Sequence, residues 1–343
     1  MRGYLATTPR GFLSPSPPHG VPQFLAFLLR DNREATQATA AVRGQVVARR
    51  PTRAACYIRR MNLEDVRRLV IIAMFSDDTL MEQLVLKGGN ALALVYGFGG
   101  RTSIDVDLSI DGDFEDFEDT RTRIFQSLRK RFVAAGYVLV DEKFEPRPAI
   151  QGIRHDKKWG GYIVEFKLIP EARHRELQGD MDAIRRNALV TGPLERKIFR
   201  IEFSKYEFCK GKVEAALDDY TVYVYTPEMI AVEKLRAICQ QMPEYEQRMN
   251  KTARARDFYD IYVLITKAGV DLSSPKNVEL ARNIFAAKNV PLELIERIGK
   301  SKEQHKPDWP SVEAAVTGPL EGFDYYFDFV VEKTLALKAL WIK

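Results

Sequence analysis

Two aspartates spaced two residues apart, Asp105 and Asp107, are the residues best suited to chemistry in this sequence. They lie in an alternating stretch, residues 103–110, whose apolar side chains would share one face of a β-strand. The two acids would share the other face, about 6–7 Å apart, where they repel each other unless a cation lies between them. A glycine pair, Gly88 and Gly89, precedes them, and the amides of such a turn can face phosphates. The pattern is typical of metal-dependent phosphoryl transfer.

Four segments in a fixed order extend this pattern. They read Lys87-Gly88-Gly89 followed by Ala91-Leu92, then Arg101-x-Ser103-x-Asp105-x-Asp107-Leu108, then Glu233-Lys234-Leu235-Arg236-Ala237, and finally Arg256-Asp257-Phe258-Tyr259-Asp260. In this order they resemble the AbiEii/AbiGii toxin family of the polymerase-β-type nucleotidyltransferase superfamily, over about residues 61–269.

The resemblance implies an α/β (α+β) fold, in which a mixed β-sheet with flanking helices is followed by a helical C-terminal domain. We therefore expect a catalytic domain over residues 61–226 and a helical domain over residues 227–343 that completes the active site. It also implies Mg²⁺, with Mn²⁺ as a substitute, and a nucleoside triphosphate as substrate. The acceptor would be a hydroxyl at a tRNA 3′ end, and the partner a winged-helix antitoxin of a toxin–antitoxin or abortive-infection pair.

The same resemblance assigns roles to individual residues. The metal ligands would be Asp105 and Asp107, and catalysis would also require Lys234 and Asp257; the nucleotide-binding set would be Lys87, Gly88, Gly89, Asn90, Ser103 and Lys234. Asn90 departs from the pattern, because many members of the superfamily have Ser or Thr after the glycines. Its amide can still donate a hydrogen bond to a phosphate oxygen.

A third acid is needed on a neighbouring strand, to bind the metal or to deprotonate the attacking hydroxyl. Residues 162–169 alternate again, and Glu165 is the natural candidate within them. The alternative is that Glu165 is a solvated charge on an edge strand.

The later motifs also have ordinary structural readings. Lys234 could simply be a solvated lysine on its helix, or it could reach the triphosphate and offset the charge that builds up during transfer. Asp257 and Asp260 share a helix face and could complement the helix dipole, or they could belong to a polar network that orients Lys234.

Charge is distributed unevenly along the chain. Residues 1–60 contain ten arginines and two acids, a net of +8, whereas residues 61–343 have 42 basic against 45 acidic side chains, a net of −3. Bulk charge therefore gives the main part of the chain no attraction for nucleic acid. Residues 1–60 are proline-rich and superficially resemble a transit peptide, but we expect them to be a disordered or non-native leader. We favour a translation start at Met61, with Asn62 as the cap of the first helix.

Local patterns predict further elements. Helices are expected at 62–75, 90–96, 117–135, 226–238, 254–269, 277–288, 292–298 and 312–340, and strands at 137–140, 151–155, 162–169, 197–203 and 221–225. The aromatic residues Phe323, Tyr325, Tyr326, Phe327 and Phe329 occur at helical spacing, which is typical of a core. Lys205, Lys210 and Lys212 lie among aromatic residues and form either an ordinary loop or hairpin or a contact surface for RNA.

Three cysteines far apart fit a reduced cytoplasmic protein, and no apolar stretch is long enough for a membrane helix. Two alternatives to tRNA modification stay open. The enzyme could transfer the nucleotide to a protein or a small molecule, or the chain could be a catalytically idle binding module that keeps the fold.

Overall fold

The computed structural model describes residues 61–98, 103–148, 160–192, 195–248 and 250–341, so the predicted leader and the predicted strand at 151–155 lie outside the described residues. The helices are α1 (Leu63–Phe75), α2 (Asp78–Gln83), α3 (Gly88–Asn90), α4 (Phe117–Ala134), α5 (Glu171–Glu176), α6 (Met181–Arg186), α7 (Pro227–Cys239), α8 (Ala255–Lys267), α9 (Pro275–Ala287), α10 (Lys302–His305), α11 (Trp309–Glu313) and α12 (Phe323–Thr334). A π-helix spans Ala91–Val95, and 3₁₀-helices span Leu292–Lys300, Lys306–Asp308 and Leu335–Leu340.

The strands form one mixed sheet. They are β1 (Val85–Lys87), β2 (Val106–Ser109), β3 (Tyr137–Arg147), β4 (Gly161–Pro170), β5 (Phe199–Ser204), β6 (Val213–Leu217) and β7 (Tyr220–Val224), in the order β3-β4-β5-β2-β1-β7-β6. The β2–β5 and β1–β7 pairs are parallel, and the other neighbours are antiparallel. The expected mixed α/β architecture is confirmed.

The period-two pattern of the sequence explains why one face of this sheet is apolar. In β5, residues Phe199, Ile201 and Phe203 are buried, while the residues between them are half-buried. Helices α1 and α4 pack against each other and against strands of the sheet, so they cover the apolar side chains. The polar side chains of β1, β2 and β5 are left together on the other face.

Helix starts agree well with their sequence signals. Asn62 caps α1 in a reciprocal capping box with Asp65, and Thr226 caps α7 with Pro227 at the first helical position. The predicted strand at 103–110 is shorter than expected, because β2 begins at Val106 and leaves Asp105 in a bend before it.

The helical part continues the same hydrophobic core as the sheet. Within the aromatic run, Phe323, Tyr326 and Phe327 are buried, as predicted, but the prediction is wrong for Tyr325, which is 50% exposed on the outer side of α12. The predicted boundary at residue 226 falls at the start of α7, and the division into two domains stays a prediction. Within the described ranges, no helix has the length and apolar character that a membrane crossing requires.

Candidate active site

The carboxylate of Asp107 lies at the centre of the polar face. Its strand β2 pairs on one side with β1, where Lys87 is its register partner, and on the other with β5, where Glu202 is its register partner. Register partners on neighbouring strands are about 4.8 Å apart and point to the same face. The sheet therefore places a lysine, an aspartate and a glutamate in one row.

Gly88 closes this row at its edge. A Cβ atom added to Gly88 would lie 2.8 Å from Oδ2 of Asp107, and the residue has a φ of +69°, which L-side chains adopt at a cost. Both facts require glycine here. The first glycine of the pair thus lets the turn approach the aspartate carboxylate closely.

Electrostatics separates Asp107 from an ordinary surface acid. Burial and the neighbouring charge of Glu202 raise the pKa of Asp107 to about 7, although Lys87 opposes the rise. Lys87 compensates the charges of Asp107 and Glu202 only in part, because its ammonium group has other partners. It donates to Ser204 Oγ at 3.1 Å and lies 3.5 Å from Glu207 and 3.7 Å from Glu233. The pair Asp107–Glu202 is the part of the row where like charges meet.

Asp105 is held differently. Arg196 Nη2 donates to its Oδ1 at 2.8 Å, and its backbone carbonyl accepts from Asn90 Nδ2 at 2.6 Å and from Ser103 Oγ at 3.3 Å. Asn90 and Ser103, both expected to bind phosphate, therefore position the bend that carries Asp105. Asn90 is fully buried, and its Oδ1 has no hydrogen-bond partner.

Glu165 does not join the other acids. It lies on β4, where its register partner is Arg200, and Arg200 Nε donates to Glu165 Oε1 at 2.6 Å. Strand β5 separates β4 from β2, so Glu165 is two strands, or at least about 10 Å, from Asp107. The neighbouring strand instead supplies Glu202, which the sequence reasoning missed although it occupies a polar position in the alternating β5.

Lys234 is buried, at 5% exposure, and its ammonium group lies 2.9 Å from Asp257 Oδ1 and 2.8 Å from Asp260 Oδ2. The reading of Lys234 as a solvated lysine is therefore wrong. Arg254 also donates to Asp257. Burial alone would raise the pKa of Asp257, but Arg254 and Lys234 outweigh it and hold that pKa below its usual value. Both acids of α8 orient Lys234, as the network reading predicted.

A second buried network joins the sheet to α7. Arg236 Nη2 lies 3.1 Å from Glu207 Oε2 and 3.0 Å from Glu233 Oε1, and Lys87 and Lys288 also approach Glu207. Burial alone would raise the pKa of Glu207, but these three cations outweigh it and lower that pKa to about 2. Lys87 is thereby fixed beside Asp107 by the helical part.

Two arginines near the acids were not predicted from the sequence to belong to the site. Arg254 interacts electrostatically with Asp257, Glu233 and Asp107, and Arg248 with Arg254, Asp257 and Glu202. Burial and the charge of Arg254 lower the pKa of Arg248. No local pattern marks these arginines, because Arg248 precedes α8 in an irregular segment and Arg254 is the first residue before that helix.

The donor set can accommodate a divalent cation. Across the described ranges, no three His, Cys, Asp or Glu side chains are grouped to hold a metal by themselves. Mg²⁺, however, is commonly bound by one or two carboxylates together with substrate phosphates. The carboxylates of Asp107 and Glu202, opposite each other on adjacent strands, fit that requirement.

Comparison with known protein families identifies one whose model matches most of the chain. The family described as "Nucleotidyl transferase AbiEii toxin, Type IV TA system" matches residues 70–333. The chain belongs to the AbiEii family. It is therefore a nucleotidyltransferase, and its family is one of toxins that have an antitoxin partner and use a nucleoside triphosphate.

Among solved structures, this AbiEii chain is similar to an antigenic nucleotidyltransferase-like protein from Paracoccidioides brasiliensis. The two are 17% identical with a TM-score of 0.32, and the similarity covers 68% of this chain and 91% of that chain. No curated protein matches the chain.

Proposed function

We propose that this AbiEii protein transfers a nucleoside monophosphate from a nucleoside triphosphate to an acceptor hydroxyl, with a tRNA 3′ end as the acceptor. The observation that carries the proposal is the placement of Asp107 and Glu202 in register on adjacent parallel strands, with Gly88 against the aspartate. Two acids in this position serve a reaction in which anionic phosphates and a cation meet.

The reaction is an in-line displacement. The acceptor oxygen forms a bond to the α-phosphorus, the bond from that phosphorus to the pyrophosphate oxygen breaks, and the hydroxyl proton leaves to a base. Glu202 is the third acid that the chemistry needs, and it either shares a cation with Asp107 or accepts that proton. Asp105, whose Oδ1 accepts a hydrogen bond from Arg196 Nη2, is expected from the sequence to bind the cation with Asp107, and that role stays a prediction.

The cations of the site act on the phosphates. Lys234, fixed between Asp257 and Asp260, offsets the negative charge that builds up on the leaving pyrophosphate, and Arg254 lies beside it on Asp257. Because these groups are already oriented, they need little rearrangement when the charge develops. Mg²⁺ or Mn²⁺ bound by Asp107 and Glu202 would neutralise the triphosphate and polarise the α-phosphoryl group.

The charge of the chain and its family bear on the acceptor and on the biological role. Residues 61–343 carry a net charge of −3, so a tRNA would be bound through a local basic surface. The family's toxin description supports the role of toxin with an antitoxin partner. We propose a winged-helix antitoxin as that partner and the cytoplasm, where nucleoside triphosphates and tRNA are present, as the place of the reaction.

A labelling experiment tests the proposal. The full chain is incubated with each α-labelled nucleoside triphosphate, Mg²⁺ and total bacterial tRNA. We expect the label to enter tRNA with the wild type and not with Asp107→Asn. Asp111→Asn is the matched control, because Asp111 is exposed just beyond β2, and it should label tRNA like the wild type.

Other outcomes would redirect the proposal. Label on protein in a lysate, with none on tRNA, would replace the acceptor by a polypeptide. Absence of label on any acceptor, together with cellular toxicity that Asp107→Asn does not relieve, would favour the idle binding module.

A further inference from the structure

Arg67 on α1 is a buried arginine that the proposed chemistry has not used. It is 5% exposed, and among the described residues it forms no ion pair, although buried charges are usually paired. Burial lowers the pKa of Arg67, and the charge of Glu64 offsets only part of that effect. An unpaired buried charge costs stability, so the position of Arg67 is better explained by the group that its guanidinium holds.

The guanidinium contacts the bend that carries Asp105. Its Nη1 donates to the carbonyl oxygen of Ser103, two residues before Asp105. Its Nε is buried and has no hydrogen-bond partner within the described residues. Helix α1 is a firm support for this contact, because Val66 and Val70 on either side of Arg67 are fully buried and the helix packs against β2.

The two aspartates of the D-x-D motif are held by different means. Asp107 lies within β2, whose backbone pairs with β1 on one side and with β5 on the other. Asp105 precedes that strand and lies in a bend. The bend is held by side chains: Asn90 Nδ2 donates to the carbonyl of Asp105 at 2.6 Å, and Arg67 donates to the carbonyl of Ser103. The place of the Asp105 carboxylate therefore depends on these tethers.

We propose that Arg67 is a positioning residue for nucleotidyl transfer, which fixes the bend at Ser103 and thereby the carboxylate of Asp105 relative to that of Asp107. The inference rests on the proposed function and on the predicted role of Asp105 as a ligand of the cation. Displacement of a catalytic group by about 1 Å can cost about 100-fold in rate. Loss of a backbone tether two residues away is enough to produce such a displacement.

The test compares Arg67→Met with Arg68→Met in the full chain. Both variants replace an arginine of α1 by a long unbranched side chain, but Arg68 is partly exposed and pairs with Glu64 and Asp218 at the surface. Arg67→Met should lower the rate of transfer by about 10- to 100-fold, and Arg68→Met should leave it unchanged. The denaturation midpoint of Arg67→Met should stay the same or rise, because the substitution removes an unpaired buried charge. Arg67→Lys keeps a cationic donor of similar reach and should recover most of the rate.

Two further measurements separate a positioning role from a general structural one. If Arg67 acts through Asp105, then Arg67→Met added to Asp105→Asn should lower the rate no further than Asp105→Asn alone. Hydrogen exchange gives a readout without catalysis. The amides of residues 103–107 should exchange faster in Arg67→Met than in the wild type, and the amides of α4 should exchange at the same rate in both.

Several results would overturn the inference. Additive losses in the double variant would show that Arg67 does not act through Asp105, and unchanged exchange at residues 103–107 would show that it does not hold the bend. Full activity of Asp105→Asn would remove the residue that Arg67 is inferred to position, with the proposed function left intact. Failure of both Arg67→Met and Arg67→Lys to fold would make Arg67 a residue of the core. If the wild type transfers nucleotide to no acceptor, the proposed function fails, and the exchange measurement alone decides whether Arg67 holds the bend.

Discussion

The acids on the strands and the acids on the helices of this protein differ in how far neighbouring cations compensate their negative charge. Asp107 and Glu202 face each other across β2 and β5, and burial together with Glu202 raises the pKa of Asp107 to about 7. Asp257 on α8 is more deeply buried, yet Arg254 and Lys234 hold its pKa below the usual value. Burial is common to both regions, and the difference lies in the supply of countercharge.

This contrast suggests a division of labour. The helix acids belong to complete internal ion pairs, whose function is to keep Lys234 and Arg254 in place. The strand acids form a like-charge pair that the chain itself only partly compensates, which is the condition for binding an external cation together with phosphates. Loss of a helix acid should therefore lower the free energy of unfolding, and loss of a strand acid should lower the rate of catalysis.

The largest expected effect is that of Asp107→Asn on activity. We expect nucleotidyl transfer to fall by at least about 10³-fold, because an amide cannot replace a carboxylate that binds a cation. The free energy of unfolding should stay the same or rise, since the substitution removes repulsion with Glu202. Chemical denaturation and a transfer assay on the same preparation check both parts. A clear loss of stability would show that Asp107 is compensated within the fold.

Asp257→Asn should instead lower the stability of the folded protein. Removal of one partner from a buried ion pair leaves Lys234 and Arg254 without a full countercharge, so the free energy of unfolding should fall by about 3–5 kcal/mol. The matched control is Asp324→Asn, which also changes an acid in the first turn of a helix, but at a residue whose side chain is 55% exposed. Similar stability losses in the two variants would contradict the account.

The helix network also contains a neutral histidine, and this gives a pH prediction. His305 is fully buried, accepts from the backbone amide of Arg254 at 3.1 Å, and has a pKa that burial lowers to about 4. Below pH 6.5 the unfolded chain binds a proton at His305 that the folded chain does not. The free energy of unfolding should therefore fall on acidification, by about 2 kcal/mol between pH 7 and 5 from this residue.

His305→Gln isolates this contribution, because glutamine keeps an acceptor for the amide of Arg254 and does not titrate. Denaturant unfolding of both proteins at several pH values between 5 and 7 should show a shallower dependence in the variant. An unchanged dependence would mean that His305 does not titrate differently in the folded state.

The smallest effect expected on stability concerns Gly88. Gly88→Ala and Gly269→Ala both place a side chain at a φ close to +70°, and this backbone conformation alone should cost each about 1 kcal/mol of unfolding free energy. Only at Gly88 does the new Cβ meet the Asp107 carboxylate; at Gly269 nothing lies within 4 Å. We expect Gly88→Ala to lose transfer activity and Gly269→Ala to retain it. Equal activities would show that Asp107 tolerates displacement.

The sequence predicted those parts of the site that depend on local pattern. The glycine pair, the spacing of Asp105 and Asp107, and the cap of α7 are all readable from neighbouring residues. The place of Glu165 was not, because the order of strands in a sheet depends on long-range pairing: β5 follows β4 in the chain but inserts between β4 and β2. Glu202, in a strand that was predicted, could be recognised as the neighbour of Asp107 only once that order was known.

The burial of Lys234 likewise could not be predicted from the neighbouring residues of the sequence. Helical periodicity places it away from part of the apolar stripe, which usually means contact with solvent. It is buried because α8, distant in sequence, packs against α7 and supplies two carboxylates to it. A charged side chain can be buried when its partners come with the element that covers it, and this pairing is visible only in three dimensions.

The most direct test of the central claim compares Glu202→Gln with Glu165→Gln. Both substitutions remove one negative charge from the same face of the sheet, one beside Asp107 and the other two strands away on Arg200. Initial rates of nucleotide transfer would be measured at saturating nucleoside triphosphate and Mg²⁺. The account predicts a loss of at least about 10²-fold for Glu202→Gln and near-normal rates for Glu165→Gln. The reverse result would return the third acid to Glu165 and contradict the assignment of the Asp107–Glu202 pair.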